Sequence, residues 1–161
     1  MKAPIYIGVL MIATAFGLGA CSQETAEPAD AEAPAGIAGL EIANGRLVLP
    51  PVKGNPAAVY FDVTYTGDRN LAIRRADVAG AGSSEMHDTV EMDGKMTMQP
   101  SLPVVLNTGD TVEFAPGGKH VMAMDVSEDL IAGGTTEVTL TVAGGDKHSF
   151  DVPIKAAGEE R

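Results

Sequence analysis

Residues 85–98 read EMHDTVEMDGKMTM, and this stretch decides the architecture. Asp93-Gly94 sits between two β-like runs. Asp-Gly in that setting signals a two-residue type I′ hairpin, because both central residues need positive φ. In that register Met92 faces Lys95, Glu91 faces Met96 and Thr89 faces Met98. Side chains alternate along a strand. His87, Thr89, Glu91, Met96 and Met98 therefore share one face. Met86 and Met92 share the other, where they are expected to be core. His87 and Met98 become diagonal neighbours, about 7–8 Å apart at the backbone.

Short β-rich runs with turn residues between them extend in both directions. Upstream lie RLVLP, AAVYFDVTYTG and LAIRRADVAG. Downstream lie TVEFAPGG, HVMAMDV, TEVTLTVAGG and HSFDVPI. No segment has a helical period. Evenly spaced short strands with Gly and Pro punctuation predict an all-β domain, a sandwich or a barrel. Within KHVMAMDV (119–126), after the turn Pro116-Gly117-Gly118, alternation puts His120, Met122 and Met124 on one face. Val121, Ala123 and Asp125 fall on the other.

The methionines are not spread evenly. Of eight, Met1 and Met11 lie in the first 21 residues, and the other six lie between residues 86 and 124 with His87 and His120. Methionine fills irregular core gaps, which accounts for one or two of them. It does not account for six beside two histidines. If the two hairpins fold together, they bring two imidazoles and two or more thioethers to one place. Thioether sulfur is soft and uncharged, and selects Cu(I) over hard cations. It needs no deprotonation, so only the imidazoles compete with protons. Blue copper requires a thiolate, and zinc prefers Cys, His and carboxylate. Cys21 is the only cysteine, so neither is expected in the folded domain.

Cys21 has another expected use. Residues 1–21 show one early Lys, an apolar run, and the ending Leu18-Gly19-Ala20-Cys21. This is the layout of an export signal. The ending resembles a bacterial lipobox, in which the cysteine is lipidated. The expectation is an exported, periplasmic protein anchored to the bacterial membrane by lipid on Cys21. Residues 22–38 are mostly Ala, Pro, Gly and acids, and are expected to be a flexible tether. The β-domain is placed at 39–157, with 158–161 as a short tail.

The formal net charge is −11. Such a surface repels nucleic acid and serves solubility. Nucleic acid is therefore not an expected partner, and a monomer is. HExxH, GxSxG, CxxC and phosphate-loop signatures are missing from the sequence, so no enzyme is predicted. His148 stands apart in GGDKHSFDV and is read as a surface or strand-end residue. Met96 and Met124 share the proposed faces and are read as lining. Glu85, Asp88 and Asp93 are read as a solvated rim, any one of which could orient an imidazole.

His87, ten residues, Met98, twenty-one residues, then His120-x-Met122 resembles the signature of the periplasmic copper chaperone family PCuAC. AAVYFDVTYTGDRNLAIRRADV and FAPGGKHVMAMDV resemble that family's flanks, so the resemblance covers roughly residues 40–155. It implies a cupredoxin-like, Greek-key β-sandwich in which His87, Met98, His120 and Met122 ligate Cu(I). It implies delivery of copper to the CuA-bearing subunit of cytochrome oxidase or to another copper-assembly protein. Some members carry a His/Met-rich tail, and DVPIKAAGEER lacks one. The alternatives are a copper storage or resistance lipoprotein, and a metal-free structural lipoprotein whose methionines only pack.

Overall fold

The computed structural model describes residues 36–159. The signal segment, Cys21 and most of the predicted tether lie outside the described residues. Ten strands make up the regular structure: β1 (Leu40–Val48), β2 (Ala57–Tyr65), β3 (Leu71–Val78), β4 (Ala81–Met92), β5 (Lys95–Pro100), β6 (Val104–Leu106), β7 (Thr111–Phe114), β8 (His120–Val126), β9 (Thr135–Val142) and β10 (Lys147–Lys155). There is no helix among the described residues.

Hydrogen-bonded neighbours run β5-β4-β8-β2-β1-β10-β9-β3-β6. One layer holds β5, β4, β8, β2 and β1; the other holds β10, β9, β3 and β6. They meet where β1 pairs in parallel with β10, Leu47 opposite Ile154. The first strand thus lies beside the last, and the remaining pairings are antiparallel. This is an all-β sandwich, one of the two architectures that the strand pattern predicts, and it agrees with the cupredoxin-like form that the resemblance implies.

Strand β2 shows why the layers close. AAVYFDVTY alternates without a break: Ala57, Val59, Phe61, Val63 and Tyr65 are buried, and the residues between them face outward. A strict period of two is what a half-buried antiparallel strand requires. Inside, Phe61 stacks on Phe114 with ring centroids 4.4 Å apart. The edge of Phe150 meets Phe61 at 5.3 Å. Val121 and Met86 from one layer, and Ile73, Val138 and Leu140 from the other, complete a continuous core. Each large apolar side chain so buried contributes about 1.5–3 kcal/mol.

Two local features position the outer face. First, β7 and β8 lie end to end along one edge of β2. β7 pairs with Phe61–Thr64 and β8 with Ala57–Val59. Residues 115–119 loop out between them, with Gly117 at φ 82°. Second, β1 carries a bulge between Ala43 and Arg46. Asn44 there takes φ 53°, and its side-chain amide donates to Asp62 at 2.6 Å. The bulge sets Arg46 opposite Tyr60.

Candidate metal centre

The β4–β5 hairpin has the predicted register. Met92 pairs with Lys95, Glu91 with Met96, and Thr89 with Met98. Asp93 and Gly94 take φ of 53° and 74°, both positive as type I′ demands. β4 is twelve residues long, and only its first part, Ala81–His87, pairs with β8. From His87 onward its partner is β5. The hairpin therefore leaves the sandwich as an arm, and all six residues of β5 are exposed.

His87 sits at the junction. It pairs with His120 of β8 on one side and Pro100 of β5 on the other. His87 and His120 are directly opposed, with ring centroids 6.0 Å apart and planes at 67°. The same row continues through Tyr60, 6.3 Å from the His120 ring, to the Arg46 guanidinium 5.0 Å from the Tyr60 centroid. This row lies on the outer face, because Met86, Val121 and Val59 in the neighbouring positions point into the core. Even so, His120 is only 6% exposed and the His87 side chain 14%.

The two rings are held differently. His120 Nδ1 lies 3.0 Å from the carbonyl oxygen of Gly118, in the loop before β8. His87 Nε2 lies 3.3 Å from Glu85 Oε2. His87 Nδ1 is buried without a hydrogen-bond partner. Such an atom costs about 1–3 kcal/mol unless something fills its valence. An ion pair between Lys119 and Asp88 ties the loop before β8 to β4 beside the histidines.

The thioethers flank this pair instead of lying in its row. Met98 is opposite Thr89, one row toward the hairpin tip. Met122 is opposite Glu85, one row the other way. On a flat sheet, two interstrand steps and four residues of rise separate their backbones by roughly 17 Å. The twist of a two-stranded ribbon shortens or lengthens that path. Met98 is 51% exposed and Met96 63%. Met124 follows Met122 on the same face, opposite Ser83.

Met86 is buried as expected, but Met92 is not core. It is 54% exposed. It shares the inward face of Met86, but lies at the tip of the arm, where no second layer covers that face. His148 takes no part in the histidine pair. Its Nδ1 accepts the Ile37 N–H at 3.1 Å, and burial lowers its pKa.

Among the described residues, no three His, Cys, Asp or Glu side chains form a metal-binding group. The Met98 and Met122 thioethers flank the histidine pair, one row to either side. Two imidazole nitrogens with thioethers make a soft donor set. A buried, unpartnered ring nitrogen beside a second imidazole fits such an ion. The sequence already offers Glu85 as one acid able to orient an imidazole, whereas the Tyr60 contact is not visible there, since it depends on the long-range pairing of β2 with β8.

Residues 40–154 match the family described as "Putative lipoprotein LpqE-like", and the chain belongs to that family. One relative, "Putative lipoprotein Lxx21020" of Leifsonia xyli, is 34% identical over 99 residues, 61% of this chain and 60% of that protein. Another, "Uncharacterized protein RP573" of Rickettsia prowazekii, is 27% identical over 88 residues, 54% of this chain and 49% of that one. The chain thus matches only about half to three-fifths of each relative's length.

Solved structures share the fold. The copper-bound PCuAC domain from PmoF2 superposes with a TM-score of 0.59 at 22% identity, covering 74% of this chain and 95% of that domain. The apo PCuAC domain from PmoF1 gives 0.61 at 23%, covering 74% and 96%. Cu(I)-bound DR1885 from Deinococcus radiodurans gives 0.56 at 24%, covering 83% and 87%. The domain therefore has the PCuAC fold.

Proposed function

We propose that the protein is a periplasmic Cu(I) metallochaperone, anchored by lipid on Cys21. It binds the ion through His87, His120, Met98 and Met122 and passes it to a partner. The CuA-bearing subunit of cytochrome oxidase is the proposed acceptor. The observation that carries this reading is the buried, unpartnered Nδ1 of His87, whose ring lies 6.0 Å from the His120 ring across β4 and β8. The sulfur donors beside it select a soft monovalent ion. The PmoF2 domain and DR1885, which share this fold, are known in copper-bound form.

The arrangement suits transfer. Exposure rises from His120 at 6% to Met98 at 51%. The imidazoles hold the ion from within, and a thioether closes the outer side. A partner's ligand can replace Met98 first, and the imidazoles release afterwards. The ion then never enters solution. No step in this exchange calls for a nucleophile or a general base.

The test is an anaerobic Cu(I) titration against a chromophoric chelator, with the double variant His120→Ala/Met122→Leu alongside. The expected result is one tightly held equivalent, lost in the variant. Equal behaviour of the two proteins would return the methionines to a packing role. Transfer from the loaded protein to an isolated CuA domain then separates delivery from storage.

A further inference from the structure

The contacts of the two imidazoles carry more than a list of ligands. A neutral imidazole has one N–H and one lone pair, and the partner of one nitrogen decides which is which. A carbonyl oxygen only accepts. The Gly118 carbonyl, 3.0 Å from His120 Nδ1, therefore requires the proton on Nδ1 and leaves the lone pair on Nε2. A carboxylate also only accepts. Glu85 Oε2 lies 3.3 Å from His87 Nε2, at ion-pair distance and outside hydrogen-bond alignment; its negative charge still favours the proton on Nε2 and leaves the lone pair on the buried Nδ1.

The opposite tautomer of His87 is worse on both sides. It would bury an N–H at Nδ1 with nothing to receive it. It would also set the Nε2 lone pair against carboxylate lone pairs. The observed contacts favour one proton arrangement in each ring, and the two arrangements are opposite.

We infer that Glu85 is a positioning residue that fixes His87 as its Nε2–H tautomer, so that His87 offers Nδ1 and His120 offers Nε2 to the ion. Local geometry suits this role. Glu85 is two residues before His87 on β4, so their side chains share a face. It is also the cross-strand partner of Met122. Of the other acids near the site, Asp88 is engaged by Lys119 and Asp93 forms the turn at the arm's tip. Among the described acids, Glu85 is the one within ion-pair distance of either ring. The identity of the ion rests on the proposed copper reading; the tautomers do not.

The experiment uses long-range ¹H–¹⁵N spectra of the metal-free full chain, which report directly which ring nitrogen carries hydrogen. Anaerobic Cu(I) competition is measured in parallel. The variants are Glu85→Ala and Glu85→Gln. Glu85 is half exposed, so both are expected to fold, and retained chemical-shift dispersion checks this. In the native protein His87 should be protonated at Nε2 and His120 at Nδ1. Glu85→Ala should mix the His87 tautomers, leave His120 unchanged, and weaken Cu(I) binding about tenfold or more, the usual cost of losing an orienting partner. Glu85→Gln keeps the shape but not the charge and should be impaired as well.

Native His87 protonated at Nδ1, or an Ala variant with unchanged tautomer and affinity, overturns the assignment. A Gln variant that matches the native protein overturns it too, since the charge would then not matter. Expected tautomers in a native protein that does not hold Cu(I) would uphold the assignment and remove only the copper reading.

Discussion

His87 and His120 are direct cross-strand partners, 33 positions apart in the chain and 6.0 Å apart at their ring centroids. Each has a different polar neighbour: the Gly118 carbonyl is hydrogen-bonded to His120, and the Glu85 carboxylate lies 3.3 Å from His87 Nε2. Neither ring replaces the other. His87→Ala and His120→Ala should each weaken Cu(I) binding at least about tenfold, or 1.4 kcal/mol. The double variant should lose less than the sum, because residues sharing one ligand couple. Strictly additive losses in chelator competition would mean that the rings act at separate places.

The methionines divide by row. Met98 and Met122 each lie one row from the histidine pair, whereas Met96 lies two rows away. Met98→Leu and Met122→Leu should weaken Cu(I) binding. Met96→Leu should leave equilibrium affinity within about twofold, a difference of roughly 0.4 kcal/mol. Leu and Met have similar volumes, so all three should retain stability to within about 1.5 kcal/mol. A large drop in the unfolding midpoint of metal-free Met122→Leu would instead mark that side chain as packing.

Gly94 occupies left-handed backbone at φ 74°, with open space where a Cβ would go. Gly94→Ala meets no clash, but it carries the backbone cost of an L-residue there, about 1–2 kcal/mol. That cost falls on the arm. Hydrogen exchange in β4 beyond His87 and in β5 should quicken, with amides of β2 and β9 unaffected. Cu(I) affinity should fall in step with the arm's loosening. Uniform acceleration through the sandwich would show that the arm and core unfold together.

Phe61 is fully buried between Phe114 and Phe150. Phe61→Ala should cost about 3–5 kcal/mol. Chemical denaturation of the metal-free protein checks this. A cost near 1 kcal/mol would mean that the core refills the space.

His148 gives a pH dependence of known sign. Burial lowers its pKa from the ordinary 6.5, and its Nδ1 must stay unprotonated to accept the Ile37 N–H. The unfolded chain then binds this proton more readily than the folded one, so stability rises with pH through the titration. The contribution is complete above the ordinary value and is lost as pH falls toward the lowered one. Urea midpoints for the native protein and His148→Gln should differ most above pH 7 and converge on acidification. Divergence at low pH would reverse the sign and the argument.

Much of the arm was legible in the sequence. Asp93-Gly94 sets its register locally, and alternation then sorts His87, Met96 and Met98 from Met86 with no knowledge of the rest of the chain. The same alternation misplaces Met92, because a face pattern does not say where the opposing layer stops. The match of β4 to β8 was not legible either. A one-residue slip would turn every side chain over, and nothing local forbids it. Tyr60 and Arg46 join the histidine row only through that long-range register and the bulge at Asn44. Spacing alone does not show the burial of His87 Nδ1, which depends on what packs around it.

The thioethers on opposite sides of the histidine row have a mechanical consequence. An ion that engages Met98 and Met122 together clasps the arm to the body of the sandwich. Without the ion, the arm stays tied to the body by the pairing of β4 with β8 and by the Lys119–Asp88 ion pair; an ion held on both sides adds a further tie and stiffens it. The rigidity of the arm would then differ between the empty and the loaded site before any ligand is exchanged.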